Sequence, residues 1–139
     1  MLKQIASRNE PLPDLTANFR IKRGLFRKEQ IVAALFDFDQ YGCVIKTDKI
    51  FNPGDTLVLT LVMDMPFEDI RTEGLNGLIT ERQKHCSNFF YSIDFVGNDA
   101  QARAAASEKL DRIQAVLMKK LTLRSRRNGP SSQSMSQTA

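Results

Sequence analysis

The stretch Thr56-Leu57-Val58-Leu59-Thr60-Leu61-Val62-Met63 carries the strongest fold signal in this 139-residue sequence. It is rich in β-branched residues and nearly alternates in polarity, which is typical of a β-strand. The preceding residues, Asn52-Pro53-Gly54-Asp55, favour a reversal of the chain because proline presets one turn position and glycine accepts φ values that other residues avoid. The pair of features predicts a strand that starts directly after a tight turn.

Five further segments on either side of this strand have continuous or alternating apolar side chains bounded by turn residues. They cover residues 19–23, 30–36, 43–47, 75–82 and 89–96. Residues 37–42 are interpreted as a turn or bulge, and residues 64–74 as an acidic loop. Six short strands at this spacing predict a small antiparallel barrel or sandwich.

A helix is predicted over residues 99–122, where the apolar period changes from two to about 3.6. Leu110, Ile113, Leu117 and Leu121 recur at helical spacing, with Val116 beside them. We expect Asn98 or Asp99 to cap the first turn and the residues Asn128-Gly129-Pro130 to stop the chain from continuing as a helix. The apolar stripe is expected to close the mouth of the barrel or to pack against another subunit.

The domain organisation predicted from these elements has three parts. Residues 1–18 are expected to be flexible because Pro11 and Pro13 break regular structure. Residues 19–122 form the β domain with its helix, and residues 123–139 form a basic segment followed by a polar, disordered tail.

Charge is distributed unevenly along the chain. Residues 1–28 contain seven Lys/Arg and two Asp/Glu, residues 29–97 contain five and eleven, and residues 98–139 contain eight and three. An acidic body therefore lies between two basic flanks. The flanks could meet an anion such as a nucleotide, a nucleic acid or an acidic protein, or they could serve only for solubility.

The composition excludes several classes of protein. No apolar run approaches the length of a membrane span and none marks a secretory signal, so we expect a cytoplasmic protein. Two cysteines, Cys43 and Cys86, are too few for a disulfide scaffold, and His85 is the single histidine. No nucleophile–base–orienter set and no zinc site can be assembled from these residues, so we predict a non-enzymatic protein without a metal or cofactor.

The segment from Ala34 to Met63 resembles the PilZ domain, a bacterial family of cyclic di-GMP receptors. An apolar strand leads into Asp37-x-Asp39-x-x-Gly42, a second apolar strand follows, and the Asn52–Asp55 turn then opens the long third strand. The family's element at the first position is [D/N]-x-S-x-x-G, so Asp39 stands where the family usually has serine. The resemblance covers roughly residues 19–120 and implies a six-stranded antiparallel β-barrel followed by one C-terminal α-helix.

The resemblance also implies a set of ligand-binding residues. The family has an R-x-x-x-R element near its N-terminus, and Arg23-Gly24-Leu25-Phe26-Arg27 has that spacing, with Arg20 as an alternative member. Guanidinium groups can pair with phosphate oxygens or with guanine O6 and N7, and a carboxylate at residue 37 could accept hydrogen bonds from a guanine edge. The predicted cyclic di-GMP site comprises Arg20, Arg23, Arg27, Asp37, Asp39 and Gly42.

Asp39 makes this predicted site unusual. A carboxylate only accepts hydrogen bonds, whereas serine also donates, and its charge would repel an anionic ligand. We therefore expect weaker binding than an Asp39→Ser variant would show.

Three hypotheses follow from the sequence. The chain is a PilZ-like receptor that binds cyclic di-GMP and relays it to a protein effector in motility, biofilm or exopolysaccharide control. Alternatively, it is a divergent PilZ-like adaptor that does not bind the nucleotide and acts only through protein–protein contacts. A small nucleic-acid-binding barrel that uses the basic flanks is the least favoured of the three.

Overall fold

The computed structural model describes residues 10–97 and 100–128, and it has six strands followed by one helix. The elements are β1 Leu15–Arg23, β2 Arg27–Asp39, β3 Gly42–Thr47, β4 Thr56–Met63, β5 Ile70–His85, β6 Asn88–Val96 and α1 Ala100–Asn128. Neighbouring strands are antiparallel and follow one another in the closed order β1-β2-β3-β6-β5-β4. The barrel predicted from the resemblance is confirmed, and the sandwich alternative is excluded because β1 pairs with β4.

Closure of the barrel depends on the first half of β1. Residues from Leu15 to Asn18 pair with residues from Met63 to Thr60 of β4, while the same strand pairs with β2 on its other side. Leu15 and Ala17 point into the core and are almost completely buried. The strand therefore begins four residues before the start predicted at residue 19. Small and polar residues between its apolar positions concealed the alternation.

The N-terminal residues that precede β1 also pack against the barrel where they are described. The backbone N–H of Leu12 donates to the carbonyl of Leu35 over 2.7 Å, and the Leu12 side chain is buried. Residues 10–18 are thus part of the folded unit, although flexibility was expected there. Residues 1–9 lie outside the described part of the chain.

The acidic loop predicted over residues 64–74 is shorter in the structure. β5 begins at Ile70, which lies opposite Met63 of β4, so residues 64–69 alone connect the two strands. Ile70 and Thr72 alternate inward and are buried. The charged outward residues Arg71 and Glu73, which follow the acidic residues of the connection, disguised this half of the strand as a loop.

The helix α1 closes one end of the barrel, as one of the two sequence interpretations predicted. Leu110, Ile113 and Leu117 are buried in the barrel core, and Val116 and Leu121 pack at its edge. The helix continues to Asn128 rather than ending near residue 122. Arginines in its last turns are favourable at the negative end of the helix dipole, which is consistent with the longer helix.

Several predicted features at the helix ends are not described by the structure. The expected N-terminal caps, Asn98 and Asp99, and the expected stop residues Gly129 and Pro130 lie outside the described residues, as does the tail from residue 131. Within residues 10–97 and 100–128, no helix combines the length and the apolar character needed to cross a membrane.

Candidate functional site

The predicted arginine element lies on a hairpin between β1 and β2. Arg23 and Arg27 are directly opposite each other in the strand register, and residues 24–26 form the turn between them. Gly24 has a φ of 79°, a left-handed conformation that favours glycine. The side chains of Arg20 and Arg27 are exposed to solvent. The hairpin therefore presents arginines as a cationic, accessible group at one end of β2.

The predicted acidic element forms the turn between β2 and β3. One carboxylate oxygen of Asp39, Oδ1, accepts the backbone N–H of Tyr41 at 2.7 Å and that of Gly42 at 3.0 Å. The Oδ1 atom of Asp37 accepts the N–H of Phe38 at 2.9 Å. An aspartate that binds the backbone two and three residues ahead shapes a tight turn. Asp39 thus has a local structural role that a ligand would have to share.

Gly42 is required by the packing of β3 against β6. Its φ is not positive, and a Cβ atom at this position would lie 2.2 Å from the backbone carbonyl oxygen of Ile93. A backbone oxygen held in a sheet cannot move aside as the end of a side chain can. The close approach of β6 to β3 therefore explains the need for glycine at residue 42, which the resemblance had placed in the predicted ligand site.

The structure does not bring the two predicted elements together. Arg27 begins β2, whereas Asp37 and Asp39 lie at its opposite end. Ten residues separate Arg27 from Asp37, which corresponds to about 30 Å at the ~3.3 Å rise per residue of a strand. The two elements thus lie at opposite ends of one extended strand, which is paired with β1 up to Ala34 and with β3 from Ala34 onward.

The β2–β3 corner is electrostatically unfavourable for an anion. Asp39 and Asp94 lie at this corner because both are paired with Gly42. Asp37 lies two residues before Asp39 on the same strand and is paired with Val44. The field of Asp39 and Asp37 contributes to the pKa of the neighbouring Cys43 thiol, which is raised well above its ordinary value mainly by complete burial and then by these two carboxylates. A phosphate here would meet the same negative potential.

Three depressions in the described part of the chain adjoin α1, and the two larger ones are considered as ligand sites. One, of about 230 Å³, lies between the helix and the β2–β3 corner and is lined by Tyr41, Leu75, Phe95 and Leu110 among others. It is smaller than the ~300 Å³ lower bound of typical ligand pockets. The other, of about 570 Å³, is lined by Glu68, Asp69 and Glu73 as well as by cations. Neither has the size and the positive charge that a doubly phosphorylated dinucleotide would require.

Sequence reasoning missed a hydrogen-bonded group beneath the loop between β3 and β4. The hydroxyl of Tyr91 accepts the N–H of Phe51 at 2.8 Å and donates to the carbonyl of Lys49 at 2.7 Å. Arg82 donates from Nη1 to the Phe51 carbonyl at 2.8 Å and lies over the ring of Phe89. Burial raises the pKa of Tyr91. The strand alternation placed Tyr91 inward, but no sequence signal paired its hydroxyl with a loop some 40 residues away.

The turn residues Leu25 and Phe26 were also missed as a surface feature. Their side chains are 90% and 95% exposed, between arginines on either side. Two large apolar residues inside a basic turn are the signal that could have singled them out. Among the described residues, no group of three or more His, Cys, Asp or Glu side chains is arranged to hold a metal ion.

Comparisons with known proteins bear on the fold. Models of known protein families and curated protein sequences give no match to this chain. Among solved structures, the chain is similar to MrkH of K. pneumonia, with a TM-score of 0.55 and 14% sequence identity. The match covers 89% of this chain and 53% of MrkH, so the chain spans about half the length of that protein. At this identity the similarity shows a shared fold.

Proposed function

We propose that this chain is a non-enzymatic, PilZ-like adaptor that acts through protein–protein contacts. The observation that carries the proposal is the position of the two predicted ligand elements at opposite ends of β2. Asp39 and Gly42 also have structural roles in the β2–β3 hairpin that account for their identity without a ligand. The six-stranded barrel with its C-terminal helix supports the PilZ-like part of the proposal.

A surface of neutral side chains on the outside of the barrel, bordered by the exposed Arg20, fits such a role. On β2, Val32 is 63% exposed, and on β4, Val58 is 62% exposed. The strand between them, β1, places Asn18 beside both Val32 and Thr60 in the register. Interface cores are depleted of charged residues. A partner protein with a neutral, apolar surface is therefore the complementary occupant of this face.

Calorimetric titration with cyclic di-GMP tests the absence of nucleotide binding. The adaptor is expected to give no heat of binding at micromolar to millimolar ligand. Saturable binding by the wild type would contradict the proposal.

A crosslinking experiment tests the protein contact itself. A photo-crosslinking residue at position 32 is expected to capture one defined partner in cells, and Val58→Lys is expected to abolish that product. The same crosslinker at Glu81, an exposed position on β5, serves as the control. An identical product from both positions, or one that survives Val58→Lys, would refute the role of this face.

A second candidate function is supported by the register of the arginine hairpin. Because Arg23 and Arg27 are opposite each other, cyclic di-GMP could bind to the hairpin arginines alone, with Arg20 as a further contact and without the acidic corner. This version expects Arg23→Ala and Arg27→Ala to abolish a calorimetric signal that Asp37→Ala leaves unchanged. Asp39→Ser tests the original six-residue site, which predicts tighter binding by that variant.

A further inference from the structure

The hairpin of β1 and β2 extends out of the barrel as a two-stranded ribbon. Pairing of β1 with β4 ends at Asn18, and pairing of β2 with β3 ends at Ala34. From Phe19 to Arg23, β1 is paired with β2 alone. At a rise of ~3.3 Å per residue, this places the turn about 15 Å beyond the last strand pair shared with the barrel wall. Phe19 and Ile31 at the base of the ribbon are buried, whereas residues 24–28 are exposed, so the turn is an accessible convex tip.

The tip combines two apolar side chains with a basic collar. Leu25 and Phe26 are the exposed apolar residues at the turn. Lys22, Arg23, Arg27 and Lys28 flank them, and residues 15–28 contain no Asp or Glu. The next acidic residue along the chain, Glu29, lies 3.6 Å from the ammonium group of Lys49. The local charge is thus strongly positive, in contrast to the acidic middle of the chain.

We propose that this tip, residues 22–28, binds the surface of an anionic lipid bilayer. Leu25 and Phe26 enter the boundary between headgroups and acyl chains, while the flanking lysines and arginines contact the anionic headgroups. Apolar side chains backed by a basic collar match this interfacial geometry, in which burial of apolar area and electrostatic attraction add. A protein partner would need a concave acidic pocket for a convex tip, whereas a bilayer accepts the tip without a preformed cavity.

Sedimentation with lipid vesicles tests the proposal on the full chain. We expect binding to vesicles of 70% phosphatidylcholine and 30% phosphatidylglycerol, no binding to pure phosphatidylcholine, and a loss of at least tenfold in affinity between 0.1 M and 0.5 M NaCl. The double variant Leu25→Ser/Phe26→Ser is expected to bind at least tenfold more weakly, as is Arg27→Glu/Lys28→Glu. These side chains are exposed, so the variants should unfold at the wild-type temperature.

Matched controls come from the rest of the surface. Phe67→Ser removes an equally exposed phenylalanine from the acidic loop, and Lys119→Glu reverses an exposed charge on α1. Both are expected to bind vesicles like the wild type. Equal losses in the tip and control variants would overturn the proposal, as would equal binding to neutral and anionic vesicles.

Insertion can be observed directly because the chain contains no tryptophan. Phe26→Trp is expected to show a blue shift of its emission on addition of anionic vesicles, whereas Phe67→Trp should show none. Vesicle binding without a blue shift at position 26 would contradict insertion. Tip-dependent binding to polyglutamate without binding to vesicles would assign the tip to an acidic protein and refute the lipid proposal.

Discussion

At the scale of single residues, the identity of Gly42 has two possible explanations, one structural and one based on a ligand. A Cβ atom there would meet the Ile93 carbonyl oxygen at 2.2 Å, and the sheet on both sides prevents an easy adjustment. A glycine in a ligand-binding motif would ordinarily be interpreted as leaving space for the ligand. The geometry makes the requirement intrinsic to the fold.

We therefore predict that Gly42→Ala lowers the free energy of unfolding by about 2–3 kcal/mol, the usual cost of overpacking in a core. Gly24→Ala is the matched control, since residue 24 has a positive φ but open space around it. It should cost only about 1 kcal/mol, from backbone strain. Urea unfolding of both variants measures the difference. An equal or smaller loss for Gly42→Ala would show that strand approach does not require glycine.

The buried thiol of Cys43 makes the free energy of unfolding depend on pH, and the sign of this dependence can be worked out. Burial, and then Asp39 and Asp37, raise the pKa of its thiol in the folded protein, whereas the unfolded thiol ionises near pH ~8.5. Below that pH both states hold the proton and the stability contribution is complete. As the pH rises further, the unfolded chain alone loses the proton, so stability falls.

We expect the wild type to lose stability between pH 8 and pH 9.5 with a slope up to about 1.4 kcal/mol per pH unit steeper than that of Cys43→Ala. Unfolding in urea at a series of pH values measures both slopes. The exposed Cys86 provides the control, because Cys86→Ala should keep the wild-type slope. Parallel pH profiles for the wild type and Cys43→Ala would contradict the assignment.

At the scale of elements, the strands were easier to predict than their ends. β4 was predicted with its observed bounds because nearly all of its signal is local alternation after a strong turn. β1 and β5 were underestimated by four and five residues at their starts, where polar or charged residues such as Asn18 and Arg71 occupy the outward positions. Those residues become strand because a neighbouring strand pairs with them, and a single segment does not reveal its neighbour.

In the helix, too, the buried centre was easier to predict than the end. Its buried stripe could be predicted from spacing, and Ile113 and Leu117 are indeed in the core. The part of the helix after the buried Leu117 has weaker apolar contact and is joined to the rest of the domain by ion pairs. Lys120 Nζ lies 2.6 Å from Asp14 Oδ2, and Arg124 Nη1 lies 3.1 Å from Glu10 Oε1. Partly exposed pairs of this kind contribute at most about 1 kcal/mol each.

Ile113→Ala should therefore destabilise the protein by about 2–4 kcal/mol, because it removes a fully buried side chain from the junction of helix and barrel. Met118→Ala alters the solvent-facing side of the same helix and should change stability by no more than about 0.5 kcal/mol. Thermal unfolding followed by circular dichroism distinguishes them. Similar midpoints for the two variants would mean that the helix is not packed as described.

At the scale of the whole molecule, closure of the barrel joins the six locally predicted strands into one domain. The β1–β4 pairing joins the first strand to the fourth, and it makes Leu15 and Ala17 part of the core. Closure also leaves the β1–β2 and β5–β6 hairpins to extend from one end of the barrel, while α1 covers the other end. The surfaces available for binding follow from that arrangement.

Ala17→Asp tests closure because residue 17 is fully buried between Ala33 and Leu61. An unpaired carboxylate there is expected to cost about 3 kcal/mol or more. Asn18→Asp introduces the same side chain one position along, on the outer face, and should remain close to wild type. Amide hydrogen exchange of β1 and β4 gives the readout. Retained protection in Ala17→Asp would show that the barrel does not close through this seam.

The sequence alone determined the fold class, the number of strands, the existence of the helix and most of the core, because these depend on alternation, helical spacing and turn residues that are encoded locally. It also supplied the six residues of the predicted ligand site, but not the exposed pair Leu25 and Phe26. The tertiary structure alone decided which of those residues are neighbours. Arg27 and Asp37 are ten positions apart on one strand, and an extended strand holds such residues far apart in space. Proximity in a barrel depends on strand register and closure, which are properties of the whole chain.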